Sequence, residues 1–250
     1  MGYVMDLTPL LIAAAAIGLG GIVKGATGAG APVVAVPVLA MLYDVPFAVA
    51  VFTVPNFLSN ILQGWTLRSH QRDPRFTAVF ALSGGAGAGV GSVALANLPS
   101  DALTLAVAGA VFLYLAFRIA SPDWALTFDA ARRFAPVAGF VGGVLQGAAG
   151  VSAPISISFL NAIRLPKPEF IATISVFFVA MSAVQLPVLT HLGILTWDRA
   201  GIGLVSTVCL LAAMPLGARL TRHVSPKGFD RIIMGLLGAM AVVLVARAIL

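Results

Sequence analysis

The chain has 250 residues, of which 60% are hydrophobic and only 10% are Asp, Glu, Lys or Arg; soluble domains carry about 25% charged residues. So little charge cannot cover a water-soluble fold of this size, and a mean hydropathy of +1.02 excludes a soluble enzyme, a secreted disulfide scaffold and a disordered chain. The net charge of +6 reads as membrane topology and not as nucleic-acid binding, because cytoplasmic loops of membrane proteins collect Lys and Arg.

The N-terminus, Met1 to Thr8, carries Asp6 and no basic residue, unlike the charged start of a signal peptide. Eight hydrophobic segments follow in chain order: 7–43, 45–66, 76–97, 102–119, 134–163, 169–190, 199–218 and 229–249. Six are about the ~20 residues of one bilayer crossing. The first and fifth are longer, and each is broken by a Gly-rich stretch followed by proline. Gly20 to Pro32 aligns with Gly142 to Pro154 at an offset of 122, with seven of thirteen positions identical. The same offset pairs Pro46 with Pro168, Ala50 with Ala172, Val54 with Val176 and Gln63 with Gln185. The chain therefore reads as a duplication, with a first repeat over 1–120, a linker over 121–133 and a second repeat over 134–250.

The long segments decide how the halves relate. If each crosses once, the halves are parallel and the Lys/Arg asymmetry between loops is poor. If each is a hairpin that returns to its own side, loops 67–75, 118–133, 164–168 and 219–227 share a compartment. Those loops hold eleven Lys and Arg, from Arg68 to Lys227, against Arg199 and Arg247 on the other side. The positive-inside tendency favours the hairpins. The expected architecture is an all-α polytopic membrane protein of two inverted repeats, each a broken-helix hairpin followed by three transmembrane helices. Both termini then lie on the non-cytoplasmic side.

A break inside a bilayer exposes backbone N–H and C=O groups, which persist only against protein or a water-filled cavity. Pro32 and Pro154 suit the first turn of a new half-helix, whose buried N-terminus is a ready anion site. In an inverted pair the two N-termini are expected to approach each other near the midplane. Gly28, Gly30, Gly150 and Ser152 would let backbone donors reach an anion there, with Thr27 offering a hydroxyl. Lys24 lies about 23 Å along a helix from Pro9, inside a core about 30 Å thick. It either reinforces such a site or snorkels to the far interface; its repeat mate is the neutral Gln146. Asn56, Asn60 and Gln63 share one helical face, and Ser182 and Gln185 keep two of those three positions polar. They offer neutral donors, or serve as interhelical glue. Pro55 and Pro187 are expected to kink these two helices. Ser156, Ser158 and Asn161 form a weaker polar run.

All nine acidic residues fall in loops or at segment ends, the three histidines are dispersed, and Cys209 stands alone. No carboxylate relay, metal site or cofactor is expected. The glycine breaks, Gly18 to Gly30 leading to Pro37 and Gly139 to Pro154, resemble the sulfite exporter TauE/SafE family, also called the toluene sulfonate uptake permeases. The likeness covers essentially the whole chain. It implies a bacterial inner-membrane permease for a small anion, a sulfur oxyanion or organosulfonate, with lipid and substrate as partners and homo-oligomerisation left open. Where members often have a run of glycines, this chain reads Gly28-Ala29-Gly30-Ala31-Pro32 and Val151-Ser152-Ala153. An accessory membrane subunit is the alternative reading, and an intramembrane enzyme a weaker one.

Overall fold

The computed structural model describes residues 7–120 and 125–220. The last hydrophobic segment, 229–249, lies outside the described residues, as do Arg222, Lys227 and Arg247. Nine α-helices and no strand occur among the described residues: α1 Leu7–Thr27, α2 Ala31–Leu42, α3 Val45–Thr66, α4 Pro74–Asn97, α5 Ser100–Ala120, α6 Phe128–Ala149, α7 Ala153–Ala162, α8 Lys167–His191 and α9 Trp197–Leu220. Six of them, α1, α3, α4, α5, α8 and α9, are long and apolar enough to cross a membrane. Exposed apolar side chains such as Leu11, Leu82 and Val205 cover their outer faces, as lipid contact requires. This is an all-helical polytopic membrane protein.

Local chemistry sets the helix ends. Asp44 caps α3 by accepting from the Phe47 N–H at 2.6 Å, with Pro46 in the first turn. Asp73 does the same for α4 through the N–H groups of Arg75 and Phe76, each at 3.0 Å. Thr127 caps α6, so that helix begins at Phe128, inside the stretch 121–133 expected to be linker. A capping hydroxyl with Asp129 in the first turn supports a helical start that hydropathy alone does not reveal. The interior prolines Pro55 and Pro187 sit within α3 and α8, each assigned as one uninterrupted helix.

Both long segments turn back. Gly28 and Gly150 adopt φ of 86° and 70°, a region open to glycine and costly for other residues. A Cβ on Gly20 would lie 3.0 Å from the Ala31 carbonyl oxygen, and one on Gly142 would lie 3.7 Å from Ser156 Cβ. Residues eleven apart on an unbroken helix stand about 16 Å apart. Each segment is thus a hairpin of a long helix and a short one, with α2 at 12 residues and α7 at 10.

The 122-residue offset also runs through the packing. Shifted by 122, α1 to α4 fall on α6 to α9 within one residue at their starts, and neighbours are exchanged across the halves. α1 packs most extensively on α9, and α6 on α4. Gly28 lies against Ile171, and Gly150 against Val49, contacts that the 122-residue shift converts into each other. At the centre α3 crosses its own equivalent, α8. Asn56 pairs with Ser182 and Gln63 with Ser175, so α8 recedes as α3 advances and the two run antiparallel.

One end of the bundle is basic. Arg132 binds Asp73 at 2.6 Å and Arg72 faces Glu169 at 3.8 Å, joining the loop after α3 to the starts of α6 and α8. Arg72 and Arg132 both stack on Phe128. Backbone N–H donation from Phe76, then the Arg132 hydrogen bond, hold the Asp73 carboxyl below the usual carboxylate range. A recess of about 450 Å³ lies here, lined by Asp73, Arg75, Phe76, Val79 and Arg132.

Candidate functional site

One group of buried polar side chains lies where α3 and α8 face each other, joined by Lys24 of α1 and Gln146 of α6. Lys24, on the last turn of α1, is 2% exposed. Its Nζ donates to Asn60 Oδ1 at 2.7 Å and stands 5.9 Å from the centre of the Phe178 ring. Among the described residues no carboxylate pairs with it. Asn60 in turn donates to the Asn56 side-chain oxygen at 3.0 Å and to its backbone oxygen at 2.7 Å. Asn56 Nδ2 donates to Ser182 Oγ at 3.2 Å. One turn further along α8, Gln185 Nε2 donates to the backbone oxygen of Gln146 at 3.4 Å. These bonds trace a track from Lys24 through Asn60, Asn56 and Ser182, which Gln185 and Gln146 extend along α8. All six side chains are at most 2% exposed.

The track has a consistent local origin. Asn56 and Asn60 are four residues apart and therefore stack on one face of α3. Ser182 and Gln185, three residues apart, likewise share one face of α8. Lys24 and Gln146 each stand one turn before the glycine where their helix ends, which aims both toward the crossing of α3 and α8. An acceptor oxygen remains without a protein partner on both Gln146 and Gln185, and so does the Ser59 hydroxyl.

The half-helix N-termini are expected to approach each other near the midplane. At the glycine turns that precede them, apolar side chains from the opposite half pack closely: Ile171 against Gly28, and Val36 and Val49 against Gly150. Val36 is five residues into α2, so the second turn abuts the flank of α2 and not its N-terminus. The reason is steric: a glycine turn has no side chain to hold neighbours off, and branched aliphatics close on it. Thr27 is exposed, and its hydroxyl is spent on the Val23 and Ala29 carbonyls. Ser152 accepts from Ser156 Oγ at 3.0 Å. Gly30, Pro32 and Pro154 are buried and serve the turns, with Pro32 and Pro154 in the first turn of α2 and α7. Gln63 is half-buried and bound to Ser175 at 3.3 Å, one turn beyond Asn60.

Three participants were not singled out as candidates from the sequence. Phe178 flanks Lys24; it is the repeat mate of Asn56, and that pairing was its one available signal. Ser175 holds Gln63. Lys167, counted only as a loop charge, donates to the Ala26 carbonyl at 2.8 Å and so ties the end of α1 to the start of α8. Among the described residues no group of three His, Cys, Asp or Glu could hold a metal.

Bilayer-length helices around two broken hairpins and a buried polar track are the build of a membrane permease. The chain belongs to the sulfite exporter TauE/SafE family, whose model matches residues 12–244. No curated protein and no solved structure matches it.

Proposed function

We propose that the chain carries a small anion, a sulfur oxyanion or organosulfonate, across a bacterial inner membrane, and that Lys24 supplies the charge that binds it. One observation carries this reading: a fully buried lysine whose partners are an amide oxygen and an aromatic ring. Burying an ammonium without a counter-ion costs several kcal/mol. A membrane protein retains such a group where an anion arrives to offset the cost. Asn60 holds the ammonium in place, and Asn56, Ser182, Gln146 and Gln185 extend the polar surface across to the other half. This moves the anion one turn back from the glycine breaks.

The halves act as inverted repeats that rock against each other to expose the track to either side; the antiparallel crossing of α3 and α8 supports this. The basic end, with Arg72, Arg75, Arg132 and Lys167, faces the cytoplasm, and the N-terminus lies outside. Family membership supports the substrate class. The test is flux in liposomes of purified protein, with sulfite, thiosulfate, sulfate and a panel of sulfonates. Saturable uptake of a sulfur anion that is lost in Lys24→Met is the expected result. Normal transport by Lys24→Met sinks the site assignment; no anion flux from folded protein sinks the permease reading.

A further inference from the structure

We infer that the transported anion bears its own O–H or N–H donor, held by the side-chain oxygens of Gln146 and Gln185 while Lys24 holds its charged end. The inference rests on the anion reading above and concerns the part of the track that Lys24 does not reach.

Gln146 occupies in the second half the place of Lys24 in the first, so an acceptor stands where its mate is a cation. Its side-chain oxygen is buried and meets no protein donor. Gln185 repeats the pattern. Its first-half mate, Gln63, accepts from the Ser175 hydroxyl at 3.3 Å. The mate of Ser175 is Thr53, but the Thr53 hydroxyl donates to the Val49 carbonyl at 2.7 Å, which leaves Gln185 Oε1 without a donor. The amide cannot be turned to cure this, because its Nε2 already faces the Gln146 carbonyl, and a flip would set oxygen against oxygen. Gln146 is 2% exposed and Gln185 0%.

Two buried acceptors without donors call for a group that gives hydrogen bonds. From Phe178, beside Lys24, to Gln185 is seven residues along α8, about 10 Å. That span accommodates a short molecule with a charge at one end and a donor at the other. A second free cation at the glutamines is opposed by Lys24 in the same low-dielectric interior, whereas a neutral hydroxyl adds no charge. Sites built to hydrogen-bond a substrate hydroxyl discriminate strongly against analogues that lack it, because their own polar groups are then left unpaired.

The experiment compares 2-hydroxyethanesulfonate with ethanesulfonate, and 3-hydroxypropanesulfonate with propanesulfonate, in proteoliposomes of the full chain with sulfite as a further arm. The expected result is a preference of at least about tenfold in kcat/KM for the hydroxylated member, shrinking toward unity in Gln185→Met and Gln146→Met. Equal transport of both members by the unmodified chain overturns the inference and leaves the anion reading intact. Sulfite flux with all four sulfonates excluded also overturns it, since the site then has no place for a donor-bearing tail. A sodium requirement shared by both members and abolished in Gln185→Met overturns it in favour of a coupling cation. Failure of every anion to move overturns the proposed function and this inference together.

Discussion

Lys24, Asn56 and Asn60 occupy in the first half the places that Gln146, Phe178 and Ser182 occupy in the second, at the common offset of 122. The backbones around them correspond closely: Gly28 and Gly150 share a left-handed φ, and each packs on the aliphatic mate of the other's neighbour. Across this offset the scaffold is shared and the chemistry is not. A hairpin turn admits few residues, because glycine at positive φ and a proline at the half-helix start are steric requirements. A side chain that projects from such a turn is free to diverge. The two halves thus present one cation and one pair of open acceptors to a common interior.

The largest effect comes from erasing that difference. Lys24→Gln gives the first half the residue of the second, and anion flux is expected to fall by about 100-fold or more, the scale of losing an interaction with a buried charge. Stability should hold or rise, since replacing a buried ion removes its desolvation cost. Flux and thermal unfolding measured on the same preparation separate the two. A parallel loss of both would make Lys24 a structural residue and dissolve the asymmetry.

Next in size is a test of the shared scaffold. A Cβ on Gly25 would fall 2.9 Å from Met214 Cα in α9, and one on Gly147 would fall 2.7 Å from Gly91 Cα in α4. Both are backbone approaches with no room to relax. Gly25→Val and Gly147→Val should each destabilise by about 1–3 kcal/mol or more, read as lowered unfolding temperature in detergent. Similar losses in the two variants uphold the equivalence of the halves; tolerance of one alone breaks it.

Sequence made the scaffold legible and the contacts much less so. The segment 45–66 is α3 to the residue, and the glycine breaks, their return and the 122-residue shift all follow from positions whose residue type is dictated by backbone geometry. Whether Lys24 snorkels or turns inward was not readable, because that depends on Asn60, which lies 36 residues away. Phe178 and Ser175 escaped notice for the same reason: an aromatic or a serine in an apolar helix carries no mark of what it faces. Nothing in the glycine pattern shows, either, that Ile171, Val36 and Val49 close over the turns.

A smaller effect is expected where the halves end differently. Asp73 binds Arg132 at one end of the bundle; the repeat mates of this pair are Leu195 and Leu10, so the other end has no such tie. Asp73→Ala removes a helix cap and its ion pair, a loss of about 1 kcal/mol at neutral pH. The folded carboxyl titrates below its unfolded value, so its contribution is complete above the unfolded value of about 3.9. It disappears as the pH falls through the lowered folded value. Unfolding temperatures of the native chain and Asp73→Ala should therefore differ by a constant amount from pH 5 to 8 and converge in strong acid. A gap that changes between pH 6 and 8 would assign the dependence to another group.

The smallest effect falls on the outer face, where divergence meets no constraint. Gly201 lies within α9, is exposed, and has nothing within 4 Å of the place its Cβ would take. Its repeat mate is Val79 on α4, so the other half already carries a side chain at this position. Gly201→Ala should leave flux unchanged and raise stability by no more than about 1 kcal/mol, the helix-propensity gain of alanine over glycine. Glycine at 201 would then mark only the absence of a neighbour, whereas glycine at 25 and 147 marks close backbone approaches between helices. A loss of stability on Gly201→Ala would mean that another surface, such as a second copy of the chain, packs against α9 there.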